Sequence, residues 1–100
     1  MNELEKEFDS AMMRAYEEAK KLGYNAVRFY QMLRKDGGVE TAKALLAKHE
    51  TQAGLAGVWE IGRLDLSMES IVLEERFRAL FNDAERNEAK RRLDELNRKT

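Results

Sequence analysis

The sequence predicts an all-α domain, and three observations carry the prediction. Apolar residues recur at three- and four-residue steps along most of the chain, the period of a helix with one buried face. Proline is absent, so glycines and capping residues alone punctuate the helices. Apolar residues make up 43% and charged residues 37%, a balance that suits helices with well-solvated outer faces rather than a disordered chain. One hundred residues correspond to one domain, spanning 1–100. The expected architecture is five to six short helices around a central apolar helix at about Ser67–Phe81.

The first helix is placed at about Glu3–Leu22. Phe8, Met12, Ala15, Ala19 and Leu22 share a face, and acids crowd the first turn, where the helix dipole favours them. Gly23 is suited to end it in a left-handed conformation. A second helix, about Asn25–Lys35, takes Asn25 as N-cap and offers Ala26, Phe29, Tyr30 and Leu33 to the core. Asp36-Gly37-Gly38 forces a turn into a third helix, about Val39–Lys48, with Val39, Ala42, Leu45 and Leu46 on one side.

Residues 54–66 admit two readings. Leu55, Val58 and Trp59 fall at helical spacing, but Val58–Ile61 facing Arg63–Leu66 around Gly62 also alternates as a strand pair. The helix is preferred, because a lone hairpin in a helical domain is marginal. Ser67 then reads as the N-cap of the central helix, with Glu69 in its first turn and Leu73, Phe77, Leu80 and Phe81 on one face. Met68, Ile71 and Val72 lie on a neighbouring face, so the apolar arc is wide. Asn82 and Glu85 make a capping box for a last helix with a thin stripe of Ala89, Leu93 and Leu96. Both chain ends are thin enough in apolar residues to fray.

Composition removes whole classes of chemistry. With no cysteine there are no disulfides, thiolate metal sites or cysteine nucleophiles, and a lone histidine, His49, makes no zinc pair. No cofactor or metal site is expected. His49 follows Lys48 near a helix C-terminus, where a capping role is expected of it. No apolar run reaches the roughly 20 residues of a membrane span, and the acidic opening MNELEKEFD is unlike a signal peptide, so a cytoplasmic location is expected. Net charge is −1 with the signs interspersed.

Within Gly54–Ile71, charged residues interrupt an apolar run. Arg63, Asp65 and Glu69 are spaced to converge where the chain enters the central helix, as a structural lock, a recognition site or, least well supported, a catalytic acid pair. Trp59 reads as core with Leu55 and Val58, or as an interface anchor if partly exposed. The basic run of the last helix offers Lys90, Arg91 and Arg92 as candidate phosphate contacts, although cations there also complement the helix dipole. Asp36-Gly37-Gly38 precedes a helix N-terminus that can bind anions, but lacks the lysine and spacing of a phosphate loop. A helix-turn-helix from Val39–Lys48 and Leu55–Ile61 fails for want of base-reading or phosphate-binding side chains in its second helix.

Two segments carry a resemblance. GGVETAKALL matches GG-x-E-x-AK-x-LL. Trp59, Glu60, Gly62, Arg63, Leu64, Asp65, Leu66, Ser67 and Glu69 fit L-W-E-x-G-R-L-D-L-[ST]-x-E. The chain resembles, over most of Gly23–Leu93, a group of uncharacterised small bacterial helical proteins that occur alone or beside other domains. The resemblance implies a cytoplasmic bacterial protein and supplies no activity, cofactor or catalytic residue. The expected function is a non-enzymatic protein-interaction module, self-association included, with Trp59, Arg63, Asp65 and Glu69 as candidate contacts. The alternatives are a nucleic-acid accessory protein using the basic helix, and an enzyme built on Arg63, Asp65 and Glu69.

Overall fold

A computed structural model describes residues 2–48 and 53–98. They form six α-helices: α1 (Glu3–Lys21), α2 (Val27–Asp36), α3 (Gly38–Leu46), α4 (Ala53–Glu60), α5 (Met68–Val72) and α6 (Asp83–Arg98). Two 3-10 segments, Leu64–Leu66 and Glu75–Leu80, flank α5. The domain is all-α, and no strand occurs among the described residues. Residues 54–66 take the helical alternative. His49, expected to cap α3, lies outside the described residues.

Capping chemistry sets most boundaries. Asn2 and Glu5 form a reciprocal capping box at α1, and Asn82 and Glu85 form another at α6, with N–H···O distances of 2.8–3.1 Å. Ser67 accepts from the Ser70 N–H at 3.0 Å and opens α5. At the far ends, α1 and α4 finish alike. Gly23 (φ 107°) and Gly62 (φ 73°) adopt the left-handed conformation. The following N–H groups reach back, Tyr24 to the Ala19 carbonyl at 2.8 Å and Arg63 to the Val58 carbonyl at 2.9 Å. These two turns aim Tyr24 and Arg63, both of which recur below. Asn25, expected to cap α2, does not. Ala26 occupies the cap position, and the Asn25 Oδ1 accepts from the Tyr16 hydroxyl at 2.9 Å, a largely buried group that needs a partner.

The central helix expected over Ser67–Phe81 is central but broken. α5 ends at Val72, Glu74 is extended (φ −62°, ψ 134°), and a 3-10 helix begins at Glu75. Helix phase explains the break. At about 100° per residue, a continuous helix burying Met68, Ile71 and Val72 would turn Phe77 and Phe81 to its opposite side. The extended Glu74 resets the phase, and both rings then meet Phe8 of α1 edge-on, at centroid distances of 5.0 and 5.1 Å. Phe8, Phe77, Met12 and Val72 are fully buried and form the centre of the core, with Leu33, Ala42 and Leu46 from α2 and α3 and Ala89 from α6 around them.

Two long-range ties fix α3 in place. The Asp9 carboxylate accepts from the Gly38 N–H at the first turn of α3, so α1 already fills the anion site that Asp36-Gly37-Gly38 suggested. A Cβ on Gly38 would lie 2.6 Å from Asp9 Oδ1 and 3.2 Å from the Asp9 backbone, so only glycine allows this approach. Lys43 pairs with Glu85 of α6 at 2.9 Å and lies over the Phe81 ring.

Candidate functional site

The expected trio of Arg63, Asp65 and Glu69 divides into two separate pairs. The Gly62 turn brings Arg63 against Asp65, which accepts from its Nε and Nη2 at 2.9 and 3.0 Å in a two-pronged bond. Glu18 of α1 stands 3.8 Å from the same guanidinium. The Arg63 hydrogen bond holds the Asp65 carboxyl below its usual range. Both side chains are well exposed, and Asp65 borders a shallow groove where Arg14, Glu18, Glu74 and Arg76 mix both signs of charge. The pair pins the turn between α4 and α5.

Glu69 is instead 2% exposed, and its partner is Arg92, also 2% exposed, at 3.2 Å. The Arg92 guanidinium donates further to the Glu88 carboxylate at 2.7 Å and to the carbonyls of Leu45 and Lys48 at 2.9 and 2.5 Å. One cation of α6 thus binds a buried acid of α5 and two carbonyls at and just past the end of α3. Burial pushes the Glu69 carboxyl above its ordinary range, against the opposing pull of Arg92. Glu88 is held down to about 2, first by its hydrogen bond from Arg91 and also by that from Arg92.

The candidate phosphate contacts Lys90, Arg91 and Arg92 do not form one exposed patch. Arg92 points into the protein, Arg91 is forked between Glu88 and Glu95 at 2.8 and 2.9 Å, and Lys90 pairs with Asp94 at 3.1 Å. The sequence did hold a signal for Arg92, which continues the buried row of Ala89 and Leu96 at helical spacing.

The cavity that the fold does leave was missed in the sequence. A space of about 300 Å³ lies between α4 and the α1–α2 corner, floored by Ala19, Leu45, Leu55, Val58 and Met68. The Gly23 turn sets Tyr24 into its wall. A Cβ on Gly57 would lie 2.4–2.6 Å from three atoms of the Tyr24 ring, so glycine lets the ring lie face-on against α4. Glu69, bound by Arg92, is the single carboxylate on the lining among the described residues. Arg28 and Lys48 are its cations. Three large apolar side chains are exposed among the described residues: Leu22 at the close of α1, Val27 opening α2 at 51%, and Trp59 of α4 at 37%. Val27 itself borders the cavity, and Trp59 follows the cavity-lining Val58. Trp59 therefore lies outside the core that Leu55 and Val58 enter. No helix among the described residues is long and apolar enough to cross a membrane, and no cluster of histidine, aspartate and glutamate among them is arranged to hold a metal ion.

No protein-family model matches this chain, and no curated protein or solved structure matches it.

Proposed function

We propose that the chain is a non-enzymatic protein-interaction module whose docking face is the mouth of the cavity between α4 and the α1–α2 corner. The observation that carries this reading is an apolar cavity with the exposed Val27 on its lining, together with an exposed Trp59 on the helix that supplies Leu55 and Val58 to that lining. A partly exposed indole is a typical anchor of an interface, and the cavity is of ligand-binding size. The candidate acids support it by their placement, since Asp65 is paired with Arg63 at the surface and Glu69 is sealed against Arg92. The resemblance noted above fits a bacterial cytoplasmic setting for the module.

A tagged pull-down from bacterial lysate, split into nuclease-treated and untreated halves, tests the reading. The expected result is a stoichiometric protein partner that survives nuclease and is lost with Trp59→Ala, while that variant keeps the helical circular dichroism of the parent. Recovery of nucleic acid alone, or a partner bound equally by Trp59→Ala, would overturn it. Sedimentation of the purified chain, with and without the same substitution, separates self-association from a foreign partner.

A further inference from the structure

The cavity mouth has a charge asymmetry that says what kind of chain segment fits it. Among the described residues three charged side chains reach its lining, Arg28, Lys48 and Glu69. Glu69 is already neutralised by Arg92 at 3.2 Å. Arg28 and Lys48 are exposed, and neither side chain has an ion-pair partner among the described residues. Arg76, Arg78 and Arg91 are tied up in local pairs, whereas Arg14, Arg34 and Lys35 are, like Arg28 and Lys48, exposed without an ion pair among the described residues. Among the described residues, two cations without ion pairs therefore border an apolar opening, while the acid of the same lining is held by Arg92.

Size and secondary structure narrow the occupant further. A space of about 300 Å³ is at the lower limit of ligand-sized pockets, room for about one or two large side chains and not for a helix backbone. The described residues contain no strand, so they offer no sheet edge for an extended peptide to lengthen. An amphipathic helix laid across helices, with an apolar side chain inserted as an anchor, suits an opening walled by helices. Val27, on the lining and 51% exposed, extends the apolar surface for the rest of such a helix.

We infer that the cavity receives a large apolar side chain from an acidic amphipathic helix of a partner protein, whose carboxylates lie against Arg28 and Lys48. This inference rests on the interaction-module reading and adds the chemistry of the partner. The buried anchor supplies the affinity, and the paired cations at the rim supply charge selection and a faster encounter at low salt.

A selection from random displayed peptides, using the intact chain as bait, tests it. The expected consensus places a leucine, phenylalanine or tryptophan about one helical turn from aspartate or glutamate. Binding of the best peptide, followed by fluorescence polarisation, should fall at least about tenfold on reversing both cations with Arg28→Glu and Lys48→Glu, exposed sites that should leave the fold intact. It should fall similarly on narrowing the cavity with Met32→Trp, with folding checked by circular dichroism. Selected peptides without acidic bias, whose binding is untouched by the charge reversal but lost with Trp59→Ala, would overturn the acidic helix while leaving the interaction module standing. No enriched peptide at all would also overturn the inference, and the pull-down above then decides the broader reading on its own. A dimeric chain that the charge reversal turns monomeric would put a second copy at the site, and would overturn a foreign partner.

Discussion

At Thr41 a hydroxyl is fully buried without a hydrogen-bond partner among the described residues. Its methyl group packs while its oxygen has lost water and gained nothing, a situation that costs about 1–3 kcal/mol. Thr41→Val keeps the shape and removes the unmet group, so the chain should become more stable by about 1 kcal/mol, read as a higher urea midpoint at unchanged slope. Arg92 poses the opposite case. Arg92→Met removes the partner of a buried carboxylate and should cost about 3–5 kcal/mol. Adding Glu69→Met removes the stranded charge as well, and the double variant should recover much of that loss. A double variant no better than the single one would show that the carbonyls of Leu45 and Lys48, rather than Glu69, are what Arg92 chiefly serves. In Arg92→Met alone, Glu69 has lost its counter-charge, so the folded state should favour its protonated form and the variant's deficit should shrink as pH falls.

The elements differ in how far local sequence dictates them. α1 and the cap of α5 follow from residues close together in the chain: one apolar stripe, an acidic first turn, and Ser67 three residues before Ser70. The helix of α4 was legible for the same reason, once a lone hairpin had been set aside as unstable. The break at Leu73–Glu74 was not, because its cause is a ring on another helix. Only the demand that Phe77 and Phe81 both reach Phe8 makes a continuous helix untenable. The wide apolar arc of Ser67–Phe81 was the visible trace of that conflict, since two faces of one helix could not both enter one core. The candidate site shows the same limit. The Arg63–Asp65 pair spans two residues and could be read directly, whereas Glu69–Arg92 joins two helices and could not. The α1–α3 crossing gives a test at this scale. Gly38→Ala should gain helix propensity of about 1 kcal/mol. The added methyl group meets Asp9 and the Phe8 ring at 2.6 and 3.1 Å, and overpacking of this kind costs about 1–3 kcal/mol. The clash includes backbone, so it should win, giving a net loss of stability in urea unfolding and earlier hydrogen exchange in α3.

For the whole molecule, the ion-pair arrangement sets the response to acid. Glu88 titrates at about 2 when folded against an ordinary 4.5, so the folded state binds its proton less readily than the unfolded chain. Its stabilising contribution is complete above about 4.5 and is lost as pH falls toward 2. Asp65 is lowered as well and works in the same direction, although its exposure reduces the effect. Glu69 has the opposite sign. Its folded pKa is raised, so its contribution to stability is greatest in acid and declines as pH rises through that value. Thermal melts of the parent and Glu88→Gln should therefore converge as pH drops from 4.5 to 2, with the parent the more stable above that window. A constant gap across the window would show that Glu88 gives the fold no charge-dependent support.

The aromatic contacts of Phe8 also govern when the protein can fold during synthesis. Its ring lies in the first helix of this domain to be made, but both of its ring partners are made about 70 residues later. Until Phe77 and Phe81 emerge, α1 can wind as a helix but has only part of its core to close upon. A nascent chain stalled after Val72 would hold that apolar face open, and a chaperone that recognises exposed phenylalanine would find its target there. The domain is thus completed from its two ends, and its last third decides whether its first helix is ever buried.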